Sequence, residues 1–150
     1  MVFLFILLTI LTFTNTIFQQ TVFNEKNELD ETAFLVANSL IYSQGEPANW
    51  HTLNGVNGIS NIGIAATRNV IAEEKLEKFV DLNQNYYEET KDLLGASKYG
   101  LKVSILRMQN NQSIAEFGLE PMETSGVSTA NRFAYYNGEE VIARIKVFKQ

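Results

Sequence analysis

Residues 1–44 read MVFLFILLTILTFTNTIFQQTVFNEKNELDETAFLVANSLIYSQ, and this stretch decides the architecture. It holds no proline and no glycine, and the first breakers, Gly45 and Pro47, arrive together just after it. Nothing inside it ends a helix, so it predicts one continuous helix of roughly 42 residues, about 63 Å long at ~1.5 Å per residue. The two halves of that helix are different materials. Met1 through Phe23 contains no Asp, Glu, Lys or Arg, whereas every charged residue of the chain lies from Glu25 onward. Residues 1–18 are apolar on all sides and span about 27 Å as a helix, close to the ~30 Å hydrocarbon core of a bilayer. From Thr21 the apolar positions become periodic, at Val22, Phe23, Leu29, Ala33, Phe34, Ala37, Leu40 and Ile41, with polar residues between them. This is the pattern of a helix that leaves an apolar environment and docks one stripe against a soluble domain.

Three readings compete for the apolar half. A secretory signal peptide would carry a basic start, a short apolar stretch and a small-residue cleavage site, and none is present. A single-span anchor fits the length but lacks a positive flank, since Lys26 is the first basic residue and Glu28, Asp30 and Glu31 follow it. The third reading is a helix that packs against copies of itself in an assembly, after a basic leader upstream of it has been removed. The anchor and the assembly helix both remain open on residues alone.

Composition narrows the chemistry. A chain of 150 residues with 45% hydrophobic and 19% charged residues is one folded domain of ordinary size. The formal charge is −5 with no Lys/Arg cluster, which leaves no basis for a nucleic-acid groove. Cysteine is absent and His51 is the single histidine, so thiolate nucleophiles, disulfides and transition-metal sets have no residues to build them. His51 beside Trp50 reads as packing or capping. The pairs Glu73-Glu74 and Glu139-Glu140 are adjacent in sequence and point apart, as solvated carboxylates do. No catalytic residue, metal or cofactor is assigned, and an enzyme is not expected.

Beyond Gly45 the chain changes character. Residues 45–69 are rich in Gly and Asn and read as a loop-rich connection. Trp50, Leu53, Val56, Ile59, Ile62 and Ile64 anchor it to the body. Ile71 to Leu82 predicts a helix with Leu76, Phe79, Val80 and the aliphatic stem of Lys75 inward. A second short helix runs from about Gln84 to Leu94, with Asn83 at the joint and Gly95 as its stop. Period-two alternation then marks strands at Tyr99–Leu106, Ile114–Phe117, Val127–Tyr136 and Val141–Phe148. Asn137-Gly138 signals a hairpin. A strict two-residue turn would place Arg132 on the face of Val141, Ala143 and Ile145, so a three-residue loop through Glu139, pairing Tyr135 with Val141, is expected instead. Of Tyr86-Tyr87 and Tyr135-Tyr136, one ring of each pair is expected in the core. The expected fold is α+β: a long N-terminal apolar-to-amphipathic helix packed on a globular domain with two short helices and a three- to four-stranded antiparallel sheet. Residues 1–44 form the helix, apolar over 1–23 and amphipathic over 24–44, and residues 45–150 form the head.

This layout resembles that of the type IV pilins, and the residues resemble the archaeal type IV pilin-like proteins. The resemblance rests on the uncharged opening FLFILLTILTFTNTIF, the continuing helix through Leu35-Val36-Ala37-Asn38-Ser39-Leu40-Ile41, and the break Gly45-Glu46-Pro47-Ala48-Asn49-Trp50. Ile62-Gly63-Ile64-Ala65, Lys75-Leu76 with Phe79, and Tyr87 with Lys91-Asp92-Leu93-Leu94-Gly95 and Tyr99 look like the body of the same proteins. The pattern departs at Phe5. Such pilins carry a carboxylate at about the fifth mature residue, after a basic leader ending in Gly, so either Met1 follows processing or the natural start lies elsewhere.

The resemblance implies a structural role. The subunit waits in the membrane, is released by a leader peptidase, and is stacked by an assembly machine into an extracellular cell-surface filament of copies of itself, used for adhesion. Its filament-core residues would be Phe3, Leu4, Phe5, Ile6, Leu7, Leu8, Ile10, Leu11, Phe13, Ile17 and Phe18, with Asn15 able to bond across helices. Thr9, Thr12, Thr14 and Thr16 can bond back to the preceding turn, or are ordinary interruptions of an apolar helix. Asn111-Gln112-Ser113 is an N-glycosylation sequon in a predicted surface turn. The alternative function is a single-span surface protein whose ectodomain binds a ligand or partner, or a minor pilin.

Overall fold

A computed structural model describes residues 2–123 and 126–150, with side chains described from Ile10 onward except at 124 and 125. The N-terminal helix, α1, runs unbroken over Val2–Tyr42. A 3-10 turn at Trp50–Thr52 follows, then β1 (Ala65–Thr67), β2 (Val70–Ile71), α2 (Glu73–Asn85) and α3 (Tyr87–Leu93). The chain ends in β3 (Gly100–Arg107), β4 (Ser113–Gly118), β5 (Val127–Tyr136) and β6 (Glu139–Phe148). The class is α+β, led by a long helix.

One sheet contains six strands in the order β1-β2-β5-β6-β3-β4. This corrects the expected three or four antiparallel strands. β1 and β2 are three and two residues long, too short to show a period in a loop-rich run, and β2 pairs with β5 in parallel through Val70 and Tyr135. The helix expected from Ile71 starts instead at Glu73, because Ile71 pairs with Ala65. The second helix is shorter than expected, and Gly95 ends it at φ +79.

The core lies on one face of the sheet. Leu101, Val103 and Ile105 of β3, Phe117 of β4, Ala134 of β5 and Val141, Ala143, Ile145 and Val147 of β6 are all buried there. α1 lies over β5 and β6 and buries Leu29, Ala33, Val36, Ala37, Leu40 and Ile41. Small residues on both sides, Ala33 and Ala37 against a sheet face bearing Ala134 and Ala143, leave room for the helix to approach closely. α2 covers β4, where Phe79 stacks on Phe117 with ring centroids 4.4 Å apart and Tyr87 packs beside them. Tyr86 and Tyr135 are exposed while Tyr87 and Tyr136 pack on the core. Val22, Phe23 and Phe34, expected in the buried stripe, are exposed.

The hairpin register is also a correction. Tyr136 stands opposite Glu139 and Ala134 opposite Val141, so the turn has two residues, with Asn137 at φ +50 and Gly138 at φ +80. That is the positive-φ pair a twisted two-residue hairpin needs. Arg132 therefore does share the face of Ala143. Its charge stays out of the core because the guanidinium reaches past β5, 4.6 Å from the Phe34 ring centroid, and Nε donates to Asn38 Oδ1 at 2.9 Å.

The end of α1 is tied to the head by hydrogen bonds. Ile64 N–H donates to Leu40 O at 2.9 Å, and the Lys75 ammonium donates to Gln44 O at 2.8 Å and Ala65 O at 3.2 Å. These satisfy carbonyls that a helix end leaves open. Burial among these neutral carbonyls pushes the Lys75 ammonium below its ordinary pKa. Trp50 is fully buried and donates through Nε1 to Gly63 O at 2.8 Å.

Candidate functional site

α1 divides into a docked segment and a projecting one. Every described side chain from Ile10 through Glu28 is exposed, and burial begins abruptly at Leu29. Above the first tether to the head, at Glu25, the projecting part from Ile10 to Phe23 is about 20 Å long at ~1.5 Å per residue. Of the residues assigned to a self-association surface, Ile10, Leu11, Phe13, Asn15, Ile17 and Phe18 all lie on it, with Phe13 67% and Phe18 65% exposed. The side chains of Phe3, Leu4, Phe5, Ile6, Leu7 and Leu8 lie outside the described residues, as does that of Thr9. Ile10, Leu11, Phe13, Ile17 and Phe18 form a continuous apolar sleeve rather than scattered surface hydrophobics. At ~1.5–3 kcal/mol for each large side chain buried, water is a poor environment for it.

The hydroxyls of Thr14, Thr16 and Thr21 are satisfied within the helix. Thr14 Oγ1 donates to the carbonyls of Ile10 and Leu11 at 3.0 Å, Thr16 to Thr12 O at 2.9 Å and Thr21 to Ile17 O at 3.0 Å. A hydroxyl bonded into its own helix costs little when moved from water to an apolar setting. Asn15 has no side-chain hydrogen bond among the described residues, so its amide is available to a neighbouring helix. Among the described residues, no helix is long and apolar enough to cross a membrane.

Below the sleeve, polar tethers hold the helix to the head. Glu25 pairs with Lys149, Glu28 with Lys98 at 3.2 Å, and Ser128 Oγ donates to Asp30 Oδ1 at 2.5 Å. The Lys98 partner, helped by Tyr99, holds the Glu28 carboxyl below its ordinary value. The sheet edge carries a tighter cluster. Lys102 is buried and meets Glu116 at 2.8 Å and Glu120 at 3.1 Å. Burial alone would lower the Lys102 ammonium, but the two carboxylates outweigh it and raise its pKa, while Lys102 and Ser113 lower that of Glu116.

A depressed carboxylate adds stability that is complete above its unfolded value of 4.5 and is lost as pH falls through the folded value. Unfolding of the detergent-solubilised chain by urea should therefore show an acid loss of stability that is shallower in Lys102→Gln between neutral pH and about pH 3. Parallel acid limbs in the two proteins would show that the cluster does not contribute.

The remaining candidates separate from the sleeve. Asn111 sits exposed in the turn between β3 and β4 at φ +54, with its backbone N–H on Arg107 O. His51 packs edge-on against Trp50, and its buried Nδ1 has no partner among the described residues. No group of three His, Cys, Asp or Glu side chains suited to a metal occurs among the described residues. Glu73 accepts from Tyr136 and Asn137, and Glu139 pairs with Arg107, so one carboxylate of each adjacent pair is engaged within the head. Asn83, expected at the joint between the helices, lies inside α2, which runs on to Asn85, and its Oδ1 accepts the Gly118 N–H at 2.9 Å and ties α2 to β4, a contact the sequence reading missed. That reading also missed the arginine and aromatic pairings of α1. No local pattern signals either, because the partners are 26 to 98 residues apart in the chain.

No family model matches this chain, and no curated protein or solved structure matches it. The functional reading rests on the sleeve and on the head below it.

Proposed function

We propose that this chain is a structural subunit that polymerises through its N-terminal helix into an extracellular filament resembling a type IV pilus. The single observation that carries the reading is the abrupt change along α1. One unbroken helix buries a stripe against its own sheet from Leu29 onward and before it exposes Ile10, Leu11, Phe13, Ile17 and Phe18. A head fixed to a projecting apolar rod suits an assembly in which rods pack together inside and heads face outward. Lipid serves the rod before assembly, and neighbouring copies serve it afterward.

The expected partners are copies of the chain, an assembly machine and a leader peptidase. The expected location is the cell surface, supplied from a membrane-inserted pool, and the role is attachment. No nucleic acid or cofactor enters this reading. The Asn111 sequon is exposed on the head, where a glycan would not obstruct the rod. Electron cryomicroscopy of material sheared from the cell surface tests the proposal. Thin filaments whose cores are α1 helices of this chain would support it. Recovery of the chain only from detergent-extracted membranes, with no filament containing it, would favour an anchored surface protein and overturn it.

A further inference from the structure

The outer side of α1 and β5 enclose an open groove lined by Phe34, Asn38, Tyr42, Arg68, Asn69 and Arg132, with exposed Phe133 at its rim. Both cations in it lie over aromatic rings. The Arg68 guanidinium is 5.4 Å from the Tyr42 centroid, and that of Arg132 is 4.6 Å from Phe34. Arg132 also donates to Asn38 Oδ1 and to Asn131 O. Neither arginine meets a carboxylate among the described residues, although the chain has 17 acidic residues to 12 basic. Asn69 Oδ1 in the same wall is buried and has no hydrogen-bond partner among the described residues. The groove therefore presents two cations that meet no carboxylate among the described residues.

Resting on the filament reading, we propose that this groove seats α2 of a neighbouring copy of the chain. α2 carries Glu74, Lys78 and Asp81 at i, i+4 and i+7, along one side of the helix. Glu74 and Asp81 are exposed, and neither forms an ion pair among the described residues. They are separated by about 10.5 Å along the axis. Tyr42 and Phe34, over which the two guanidinium groups lie, are eight residues apart on α1, about 12 Å. The acid spacing is close to that of the two rings over which the guanidinium groups lie. Arg and aromatic side chains that are desolvated together are the usual anchors of a protein interface. Groove and α2 are different surfaces of the chain, so the contact is heterologous and repeats from copy to copy, as a filament requires.

Charge reversal tests this in the full chain expressed on cells. Arg68→Glu with Arg132→Glu, and separately Glu74→Arg with Asp81→Arg, should each cut filament yield at least about tenfold, since two like-charge contacts replace two attractive ones. Combining all four substitutions should restore the yield, because the charges are exchanged rather than removed. Unchanged filaments in either double variant, or a folded quadruple variant no better than the doubles, would overturn the proposal. Normal filaments with lost attachment in the arginine double variant would assign the groove to an external anion and overturn it too.

The contact can also be read without filaments. The chain has no cysteine, so Asp81→Cys paired with Arg68→Cys or with Arg132→Cys should give oxidative dimers in membranes for one of the two pairs. Asp81→Cys with Asn110→Cys should give none. Absence of both expected dimers would overturn the groove contact. Dimers in cells that never form filaments would instead retain it and remove the filament reading.

Discussion

Trp50→Ala should lower the unfolding free energy of the detergent-solubilised chain by about 3–5 kcal/mol, the range for truncating a large buried aromatic. The ring is fully buried at the point where the chain leaves α1, and its Nε1 donates to Gly63 O. It also lies where a Cβ on Gly45 would sit, 2.4 Å from the Trp50 ring, with Gly45 at φ +81. Gly63 is just as constrained, since a Cβ there would come 2.2 Å from Ser43 O. Removing the indole leaves a cavity among segments that cannot close on one another, and it orphans the Gly63 carbonyl. Urea unfolding followed by near-ultraviolet circular dichroism measures the effect. A loss under about 1 kcal/mol would mean that the break after α1 repacks freely, contrary to the close approaches at Gly45 and Gly63.

The second large effect concerns assembly rather than folding. Phe13→Asp with Ile17→Asp should abolish filaments while leaving the unfolding transition of the head unchanged. Both positions are exposed on the projecting helix, four residues apart and so on one side of it. A carboxylate placed in an apolar helix environment costs about 2.5–3.5 kcal/mol per residue on insertion scales. Every subunit of a filament would repeat that cost. Filament counts from sheared cells, beside the amount of chain in the membrane fraction, give the readout. Wild-type filament numbers in the double variant would show that this part of α1 does not face its neighbours. Loss of both the membrane pool and the filaments points to insertion as the step affected, and a second variant, Phe13→Ala with Ile17→Ala, then tests packing without charge. It should still insert and should reduce filaments.

The arginine groove shows why part of the candidate site was not legible. From sequence, Arg132 is a charge to be kept away from Val141, Ala143 and Ile145, which favours a three-residue loop, whereas the hairpin has a two-residue turn. The physical premise was sound, since a guanidinium is not left among aliphatics. What it lacked was Phe34 and Asn38, which lie 98 and 94 residues earlier in the chain and offer the side chain a way out over a ring and onto an amide. The Asn137-Gly138 signal was the better guide to the turn, because its positive φ angles depend on those two residues alone. Phe34 was misplaced in the buried stripe for the related reason that a helix wheel shows which residues share a side but not how wide a strip the partner sheet covers.

By itself the sequence determined whatever depends on near neighbours. Forty-four residues without a breaker make a continuous helix, the absence of charge before Glu25 makes its first part apolar, and alternation marks β3, β5 and β6. The tertiary structure alone decided the parallel pairing of β2 with β5, the carbonyls of Gln44 and Ala65 that receive the Lys75 ammonium, and the place along α1 where docking stops. Those features join segments tens of residues apart, and their free energy comes from surfaces and carbonyls that face one another only after the chain has closed on itself. The projecting sleeve belongs to both. Its residues make it apolar, and the end of the sheet beyond Leu29 leaves it exposed among the described residues.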